Sequence, residues 1–551
     1  MKKKIVQFAA FCLTAALCLG GMPAAGAVGE EPIVRVGLNY NSSTLAGANL
    51  SNMTGSGYRF GYYDAARTFF QVGYTAETDI SVVKTQNVWF GYVESYGRNT
   101  YSDQITSDVA VGCYHIQLPT VYASYDEARA AADTVGGTGF PAWIEGSYYV
   151  RAGSYLTKEE AAAALAAWGV DGTVVGTSAY GVSVVRTGTS AILFQFDGGA
   201  AYALGVQPGL DDTVKTVTAF RGYNYYGGFQ YQRRDGGNMT VVNFVPLEDY
   251  VKGVLPYEMS ASWPQEALKA QAVCARTYAI LNQNKHEKSY GFDLCSNTDC
   301  QMYSGTNRAD EWSDRAAEAT AGQYAWYQGE LAQTYYFSCD GGATEDVKNV
   351  WGSSIPYLVG VVDPYEPTVA DKTGKYNWSK TFTKAELKDI LHSKGRMCAD
   401  IVDFYVAETT PTGNVFKITF VDANGKSWSF VNTEREYCRT LLGLNSIRYT
   451  IAGSGGTYYV DDKGDSISSV TGAYAVNGSG EVVPITGTPY VASSSGTAPL
   501  EVTTAGDSFT ITGSGWGHSV GMSQWGAYAM AQEGKTYDEI LKFYFTGIDV
   551  K

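Results

Sequence analysis

The chain has 551 residues, of which 45% are hydrophobic and 17% charged, a balance typical of globular proteins with a sizeable core. This length favours several domains, at roughly 100–200 residues each. The formal net charge of −15 repels phosphate backbones and therefore argues against a nucleic-acid partner. The 42 tyrosines suit either a β-rich secreted protein or a sugar-binding surface.

The first 27 residues have the features of an export signal. Lysines occupy positions 2–4, an apolar stretch runs over 5–21, and small residues at 25–27 form a cleavage site. This predicts a secreted or cell-wall protein outside the cytoplasm. Because the apolar stretch is close to the shortest length that spans a bilayer, an uncleaved N-terminal membrane anchor is the alternative.

The mature chain would keep an odd number of cysteines, so at least one thiol stays free or pairs with another chain. They are Cys113, Cys274, Cys295, Cys300, Cys339, Cys398 and Cys438. This is too few for a disulfide scaffold, and the apolar core must therefore stabilise the fold.

The N-terminal part of the mature chain, residues 28–111, is predicted to be β-rich and begins with an alternating strand at 33–38. A different pattern follows over residues 112–175. Two short strands at 140–144 and 148–152 lie between two helices, and each helix opens with a capping box: Ser124 with Glu127, and Thr157 with Glu160. Flanking strands complete a β-α-β-β-α-β order, which is the ferredoxin-like pattern.

Residues 176–551 form the remainder of an α+β fold. The clearest helix is predicted to begin at Pro264, since proline suits the first helical position. Small and apolar residues recur on one face at helical spacing and would let the helix pack closely: Leu268, Ala272, Ala275 and Ala279. A Gly-, Ser- and Thr-rich segment at about 453–507 is predicted to be a β-type insertion, and a last helix is predicted at 524–532.

Glu258 stands between Tyr257 and Met259, in a segment interpreted as an active-site loop before the helix. Apolar neighbours raise the pKa of a carboxyl group by desolvation, which suits a general acid at neutral pH. Composition alone would equally allow a surface carboxylate.

Four sequence blocks make the chain resemble the stage II sporulation protein D family. They are Leu-Glu-Asp-Tyr-Val-Lys-Gly-Val-Leu-Pro-Tyr-Glu-Met (247–259) leading to Glu-Ala-Leu-Lys-Ala-Gln-Ala-Val-Cys-Ala-Arg-Thr-Tyr (266–278), Asp-Leu-Cys to Cys-Gln-Met-Tyr-Ser-Gly (293–305), Gly-Gly-Ala-Thr with Val-Trp (341–351), and Gly-His-Ser-Val-Gly-Met-Ser-Gln (517–524). They stand in the family's order over about 219–551, with residues 35–38 opening the same domain.

The resemblance implies a lytic transglycosylase that cuts peptidoglycan glycan strands already stripped of their peptides. It makes Glu258 the catalytic residue. Glu258 would protonate the glycosidic oxygen and then accept the proton of the 6-hydroxyl of the same N-acetylmuramic acid, which closes onto its own C1. An internal nucleophile removes the need for the second carboxylate of ordinary glycosidases.

Other polar residues inside the matching blocks are candidates to bind the sugar chain. They are Gln271, Arg276, Gln301, Tyr303, His518, Ser523 and Gln524. Arg276 could meet the lactyl carboxylate that stripping exposes on muramic acid. Each of the seven has a purely structural role as its alternative. Ser519 replaces the glycine that is usual in the family.

Some family members are thought to hold zinc with cysteines that match Cys295 and Cys300. Here Asp299 occupies the position where a histidine commonly precedes the second cysteine, and His286 is the other histidine close by. Structural zinc usually takes four cysteine or histidine ligands. The sequence therefore favours a disulfide or two free thiols, with no metal or cofactor.

Residues 112–175 resemble the sporulation-related (SPOR) repeat domain through Tyr-His-Ile-Gln-Leu (114–118) and Tyr-Val-Arg-Ala-Gly-Ser-Tyr (149–155). That resemblance implies binding to peptide-free glycan strands, and an inert α+β insertion is the alternative. For the whole chain the rival function is a non-catalytic wall protein that enhances a partner amidase. The partners implied are peptidoglycan glycan strands, with a wall amidase or sporulation engulfment proteins.

Overall fold

The computed structural model describes residues 31–210, 213–452 and 507–551, together with six short strands between 453 and 506. The predicted export signal lies outside the described residues. Within them, no helix has the length and apolar character needed to cross a membrane.

The segment before residues 112–175 consists of strands and two short 3-10 helices, Asn41–Ser43 and Glu94–Tyr96. Its strands are β1 (Ile33–Asn39), β2 (Gly47–Thr54), β3 (Tyr58–Tyr63), β4 (Phe69–Thr75), β5 (Asp79–Lys84), β6 (Val88–Val93), β7 (Arg98–Ser102) and β8 (Ala110–Val111).

Residues 112–175 have the predicted element order: β9 (Tyr114–Gln117), α1 (Tyr125–Asp133), β10 (Gly139–Ile144), β11 (Ser147–Tyr155), α2 (Lys158–Trp168) and β12 (Thr173–Val175). Of the two predicted capping boxes, the one at α2 forms in full, since Glu160 also accepts the N–H of Thr157, whereas at α1 the Glu127 carboxylate accepts the N–H of Ala123 instead. The Ser124 and Thr157 side chains accept hydrogen bonds from the main-chain N–H groups of Glu127 and Glu160. The strand order is β12-β9-β11-β10, with antiparallel neighbours throughout.

The β-rich sequence then resumes with β13 (Val182–Arg186), β14 (Ile192–Asp197), β15 (Leu204–Pro208), β16 (Val217–Phe220), β17 (Tyr223–Tyr225), β18 (Gly228–Arg233) and β19 (Met239–Pro246). Strand β10 pairs in parallel with β14, so residues 112–175 extend a ten-stranded sheet of order β12-β9-β11-β10-β14-β13-β5-β2-β16-β17. The predicted domain limits and the SPOR resemblance stay predictions.

The following part of the chain is helical around the site. It contains α3 (Leu247–Glu258), α4 (Gln265–Leu281), α5 (Glu287–Tyr290), β20 (Leu294–Cys295), α6 (Glu311–Ala319), β21 (Ala325–Tyr327) and β22 (Glu330–Leu331). A seven-stranded sheet of order β20-β1-β19-β18-β15-β3-β4 delivers the chain into α3. The strand predicted at 33–38 is thus part of the same sheet that leads to Glu258.

A second, mixed region follows: β23 (Tyr336–Phe337), α7 (Val347–Trp351), β24 (Asn377–Thr383), α8 (Lys384–Ser393), β25 (Ile401–Thr409), β26 (Val415–Asp422), β27 (Ser427–Val431), α9 (Tyr437–Thr440) and β28 (Tyr449–Ala452). In the predicted insertion, three antiparallel strand pairs are described: β29 (Tyr459–Val460) with β30 (Ser466–Ile467), β31 (Tyr474–Val476) with β32 (Val482–Pro484), and β33 (Tyr490–Ser493) with β34 (Gly496–Pro499).

The chain closes with β35 (Ser508–Ser514), β36 (Met522–Ser523), α10 (Gln524–Gln532), α11 (Tyr537–Tyr544) and β37 (Asp549–Val550). Helix α10 has the predicted bounds. Strand β36 pairs in parallel with β23, which brings the last sequence block beside Tyr336. Residues 33–551 form one compact unit, and the α+β prediction is confirmed.

Helix α4 joins the two main apolar cores. Leu268 and Ala272 pack into the C-terminal core, and Ala275 and Ala279 into the N-terminal one. All four are fully buried, as their helical spacing predicted. The three alanines let α3, α6, α10 and α11 approach α4 closely. This packing fixes the elements that carry the site.

Candidate functional site: a groove around Glu258

Glu258 is the last residue of helix α3, and the interpretation of its segment as a loop is wrong. Apolar residues at helical spacing, among them Leu247, Val251 and Val254, bury one face of the segment and make it a helix. Pro256 stands in the last turn, where a missing N–H ends the helix soon afterwards. The chain then bends at Met259 before α4, and the carboxylate projects from a rigid helix end.

Three hydrogen-bond donors hold the Glu258 carboxylate. The main-chain N–H of Met302 lies 2.7 Å from Oε1, and Nε2 of Gln524 lies 3.4 Å from Oε2. The third donor is the hydroxyl of Tyr336. Burial raises the pKa of Glu258 above its usual value, although the three hydrogen bonds act in the opposite direction. A raised pKa keeps the proton that a general acid must donate.

A second layer of side chains fixes these donors. Gln301 accepts a hydrogen bond from the Tyr250 hydroxyl at 2.9 Å and donates one to the Tyr336 hydroxyl at 3.1 Å. Gln524 also lies 3.5 Å from Oε1 of Gln271. Gln271 and Gln301 therefore lie beneath the groove and position Gln524 and Tyr336, which bind the Glu258 carboxylate.

Glu258 opens onto a groove of about 780 Å³. Its aromatic wall consists of Tyr278, Tyr335, Tyr336, Phe337, Trp351 and Trp516, and its polar lining includes Asn282, Lys285, Asp299, Lys375, Glu436, His518 and Gln524. The two tryptophans are 37% and 41% exposed, so their rings are open to a ligand. Flat aromatic faces beside cationic groups suit an acidic sugar polymer.

The other groove carboxylates are held by cations. Glu436 receives hydrogen bonds from Arg439 at 3.0 and 2.5 Å and from the Trp351 indole at 3.0 Å. Burial raises the pKa of Glu436, but Arg439 outweighs this and holds it below its usual value. Asp299 lies 3.3 Å from Lys285. Among the described residues, Glu258 alone of the three has no ion pair.

His518 also lines the groove, and the main chain occupies both of its ring nitrogens. Nδ1 accepts the Val520 N–H at 3.1 Å, which leaves Nε2 to donate to the carbonyl of Tyr336 at 3.1 Å. Burial lowers the pKa of His518 to about 4, so the ring is neutral at physiological pH. The imidazole therefore supports the wall beside Trp351 and Phe337.

Five of the seven predicted sugar-binding residues do not line the groove: Gln271 and Gln301 lie beneath it, and three others belong to the framework. Arg276 is fully buried and donates to Glu248 at 2.8 and 2.7 Å, so it cannot meet a lactyl carboxylate. Tyr303 is buried and donates to Asn243 at 2.6 Å. Ser523 is buried and caps α10. Polar type and family position suggested these residues, but burial assigns them to the framework.

The donors expected to be too few for zinc come together in the structure. Cys300 Sγ lies 3.3 Å from His286 Nε2. Asp299 Oδ2 lies 3.1 Å from the same nitrogen and 3.8 Å from Cys295 Sγ. Donors of a tetrahedral zinc ion lie roughly 3.3–3.8 Å apart, and a carboxylate oxygen is an accepted ligand. A hydrogen bond between the sulfurs lowers the pKa of Cys295, which favours the thiolate.

This donor set fits zinc, because Asp299 stands where it would supply a fourth ligand in place of a histidine. Residues 295–302 form the stretch that ends at Met302, the main-chain donor to Glu258. Strand β20 anchors its start by parallel pairing with β1, where Gly37 faces Cys295. A side chain at Gly37 would collide with the Phe292 ring, 2.3 Å from the Cβ position.

Known proteins share the segment that carries this site. The family model described as stage II sporulation protein matches residues 235–327, which contain α3, α4 and the cysteine pair. An uncharacterised protein of Brachyspira hyodysenteriae is 32% identical over 60% of this chain and 73% of its own length. The stage II sporulation protein D of Bacillus subtilis is 29% identical over 57% of this chain and 76% of its own length.

The chain belongs to the stage II sporulation protein D family. The amidase enhancer of Bacillus subtilis is also similar, at 31% identity over 54% of this chain but only 39% of its own length. Glu258 lies inside the segment that the family model matches, whereas Tyr336 and Trp516 lie beyond it.

Sequence reasoning missed several residues of the groove. Tyr336 and the main-chain N–H of Met302 contact Glu258 from other parts of the chain, and no local pattern indicates that they do so. The aromatic run 335–337 and the two tryptophans are recognisable in the sequence. Their place in the groove depends on the pairing of β23 with β36, which brings the last sequence block against Glu258.

Proposed function

We propose that this chain is a peptidoglycan lytic transglycosylase that acts on peptide-stripped glycan strands and leaves 1,6-anhydro-N-acetylmuramic acid ends. The observation that carries the proposal is the single carboxylic acid with a raised pKa in an aromatic groove, beside two carboxylates held by Lys285 and Arg439. Ordinary glycosidases need two working carboxylates, whereas an internal nucleophile needs one.

Protonated Glu258 donates its proton to the glycosidic oxygen as the C1–O bond breaks. The resulting carboxylate accepts the proton of the 6-hydroxyl while O6 bonds to C1, so Glu258 ends the cycle protonated and no water is consumed. Met302, Tyr336 and Gln524 stabilise the carboxylate between the two steps and fix its direction.

The groove supports binding of a stripped strand. Trp351 and Trp516 offer faces for sugar rings, and Lys285 and Lys375 place positive charge where a lactyl carboxylate could be met. Lys375 Nζ lies 4.7 Å from the centre of the Trp516 ring. These lysines replace Arg276 as the candidates for recognising stripped muramic acid.

When bound, zinc would cross-link His286, Cys295, Asp299 and Cys300 and so hold the stretch that presents Met302. Its contribution is structural, since the four donors leave the chemistry to Glu258.

A role in sporulation or cell-wall remodelling outside the cytoplasm accompanies this proposal, because the named relatives are a sporulation protein and an amidase enhancer. Residues 112–175 would bind the same stripped strands. Their cleft, lined by Tyr155 and Trp168, is a place to test this in the full chain. Trp168→Ala should weaken retention on stripped glycan while the rate on soluble fragments is unchanged.

The experiment that tests the proposal incubates the purified chain with amidase-treated glycan strands and with intact peptidoglycan. Release of soluble fragments from the stripped strands, absent with Glu258→Gln, is expected. The rival function is enhancement of a partner amidase without cleavage, favoured by the similarity to the amidase enhancer. In that case the chain releases nothing alone, and Glu258→Gln stimulates the amidase as well as the wild type does.

A further inference from the structure

A small pocket lies between two hairpin tips of the N-terminal β-rich part. Tyr96 and Arg98 belong to the tip that joins β6 to β7, and Arg221 belongs to the tip that joins β16 to β17. We call this the arginine pocket. It shares no lining residue with the groove around Glu258. Its volume is about 180 Å³ against about 780 Å³ for the groove, so it suits a small ligand rather than a stretch of polymer.

Both arginines of the pocket contact Tyr96. The Arg221 guanidinium lies 4.7 Å from the centre of the Tyr96 ring, and Nε of Arg98 donates to the Tyr96 carbonyl oxygen at 3.2 Å. The other two guanidinium nitrogens of Arg98 lie 3.7 and 3.9 Å from the Cβ position of Gly222, the residue that follows Arg221. Two guanidinium groups therefore meet at the rim of one pocket.

No carboxylate neutralises this pair of cations. In the part of the chain that the structure describes, neither Arg98 nor Arg221 forms an ion pair. Burial lowers the pKa of Arg221, and the charge of Arg98 lowers it further, with no carboxylate acting in the opposite direction. Like charges held side by side repel each other, so a bound anion would stabilise the arrangement.

The hairpin tip holds Arg221 in a backbone conformation that arginine rarely adopts. Arg221 and Gly222 have φ angles of 53° and 88°, as the two-residue type I′ turn between β16 and β17 requires. Asparagine, aspartate and glycine are usual at the first position, because left-handed backbone strains other side chains. An arginine there departs from the preference of the turn, which favours a role for its side chain.

The pocket also contains acceptors for hydroxyl groups. Oδ1 of Asp79 accepts a hydrogen bond from the Ser51 hydroxyl at 2.5 Å, and Oδ2 accepts one from the Thr78 hydroxyl at 3.1 Å. A carboxylate oxygen has two lone pairs, so each oxygen of Asp79 can accept one more donor. The ligand that fits both features carries an anionic group for the arginines and hydroxyl groups for Asp79.

We propose that the arginine pocket binds a single carboxylated sugar unit. Arg98 and Arg221 bind the carboxylate, for which the planar guanidinium is well shaped, and Asp79 accepts a sugar hydroxyl. The identity of that sugar as N-acetylmuramic acid rests on the proposed function. A stem peptide would turn the lactyl carboxylate into a neutral amide, so the pocket would select peptide-stripped units.

The test uses the full mature chain carrying Glu258→Gln, so that nothing is cleaved, with ¹⁵N label in its arginine side chains. N-acetylmuramic acid is the probe, and N-acetylglucosamine, which lacks the lactyl group, is the neutral control. The probe should shift the Nε–H signals of Arg98 and Arg221 to saturation in NMR spectra, and the control should leave them in place. The two signals are assigned by their loss in Arg98→Gln and in Arg221→Gly, which the turn tolerates best.

Arg98→Gln should also weaken binding at Arg221 about tenfold or more, because it removes a charge-assisted hydrogen bond. Arg396→Gln removes an exposed arginine outside the pocket and should change nothing. The proposal is overturned if N-acetylmuramic acid shifts neither signal, or if it shifts Arg396 as much as Arg221. Equal shifts with inorganic phosphate at the same ionic strength would overturn it too, since the pocket would then recognise charge without sugar. Because binding is measured without cleavage, a failure of the proposed catalytic function would leave this result unaffected.

Discussion

The main-chain N–H of Met302 donates to Oε1 of Glu258 at 2.7 Å, which joins the stretch carrying the cysteine pair directly to the carboxylic acid of the groove. A metal bound by that stretch would thus act on the position of the acid without touching the substrate. Changes that disturb the stretch 295–302 are therefore expected to lower the activity of Glu258.

The first prediction concerns zinc. The purified chain should contain about one zinc ion, and Cys295→Ser should lose it because a structural site needs all its ligands. Asp299→Ala should lose zinc to a chelator more readily than the wild type does, and the Tm of both variants should fall. Elemental analysis measures the metal. Cys398→Ser, outside the donor set, is the control, and wild-type protein without zinc would contradict the assignment.

The second prediction concerns Tyr336, whose hydroxyl lowers the pKa of Glu258. Tyr336→Phe removes that donor, so the pKa of Glu258 should rise by about one to two units, given a charge-assisted hydrogen bond of about 1.5–3 kcal/mol. A general acid works when protonated, and the alkaline limb of the pH profile of kcat/KM should therefore move to higher pH. Tyr335→Phe is the neighbouring control, and a limb that stays in place would contradict the contact.

The third prediction concerns the aromatic wall. Trp516→Leu should raise KM about 2–10-fold with kcat nearly unchanged, because a stacked sugar is bound alike in the ground and transition states. Kinetics on stripped strands of defined length provide the measurement. Trp312→Leu changes an equally exposed tryptophan outside the groove, at 42% against 41%, and should have no effect. Equal effects of both variants would remove Trp516 from the binding surface.

The fourth prediction concerns Ser519, which stands where the family usually has glycine. Its φ of 65° is left-handed, and its buried hydroxyl has no partner among the described residues. Ser519→Gly should stabilise the fold by about 1 kcal/mol, since relief of strain and of the unpaired hydroxyl outweighs the added chain entropy. Urea midpoints measure this. Ser519→Ala keeps the strain, so a glycine variant no more stable than alanine would contradict it.

Local patterns predicted those parts of the fold that local physics decides. Pro264 and the small-residue face marked α4, and the two capping boxes marked α1 and α2. The same approach misread α3, because Gly253 and Pro256 resemble helix breakers when the buried partners of the helix are unknown. Gly253 is required there, since the Tyr303 ring lies 2.4 Å from its Cβ position.

The sequence predicted the central carboxylate of the site but not the contacts of the residues around it. Glu258 stood out through its neighbours and the family blocks, whereas the burial of Arg276 against Glu248 depends on helix packing that no local pattern reports. Asp299 was discounted as a ligand because its type is less common than histidine. Its side chain reaches the sulfur and the imidazole only through the turn that the fold imposes.

The central claim is that one carboxylic acid, Glu258, drives an intramolecular closure, and mass spectrometry of the products tests it most directly. Stripped glycan strands treated with the wild type should yield fragments ending in 1,6-anhydro-muramic acid. Glu258→Gln, which keeps the shape but cannot donate the proton, should reduce their yield roughly 10²–10⁴-fold with folding intact. Fragments heavier by one water, or undiminished anhydro product from Glu258→Gln, would contradict the account.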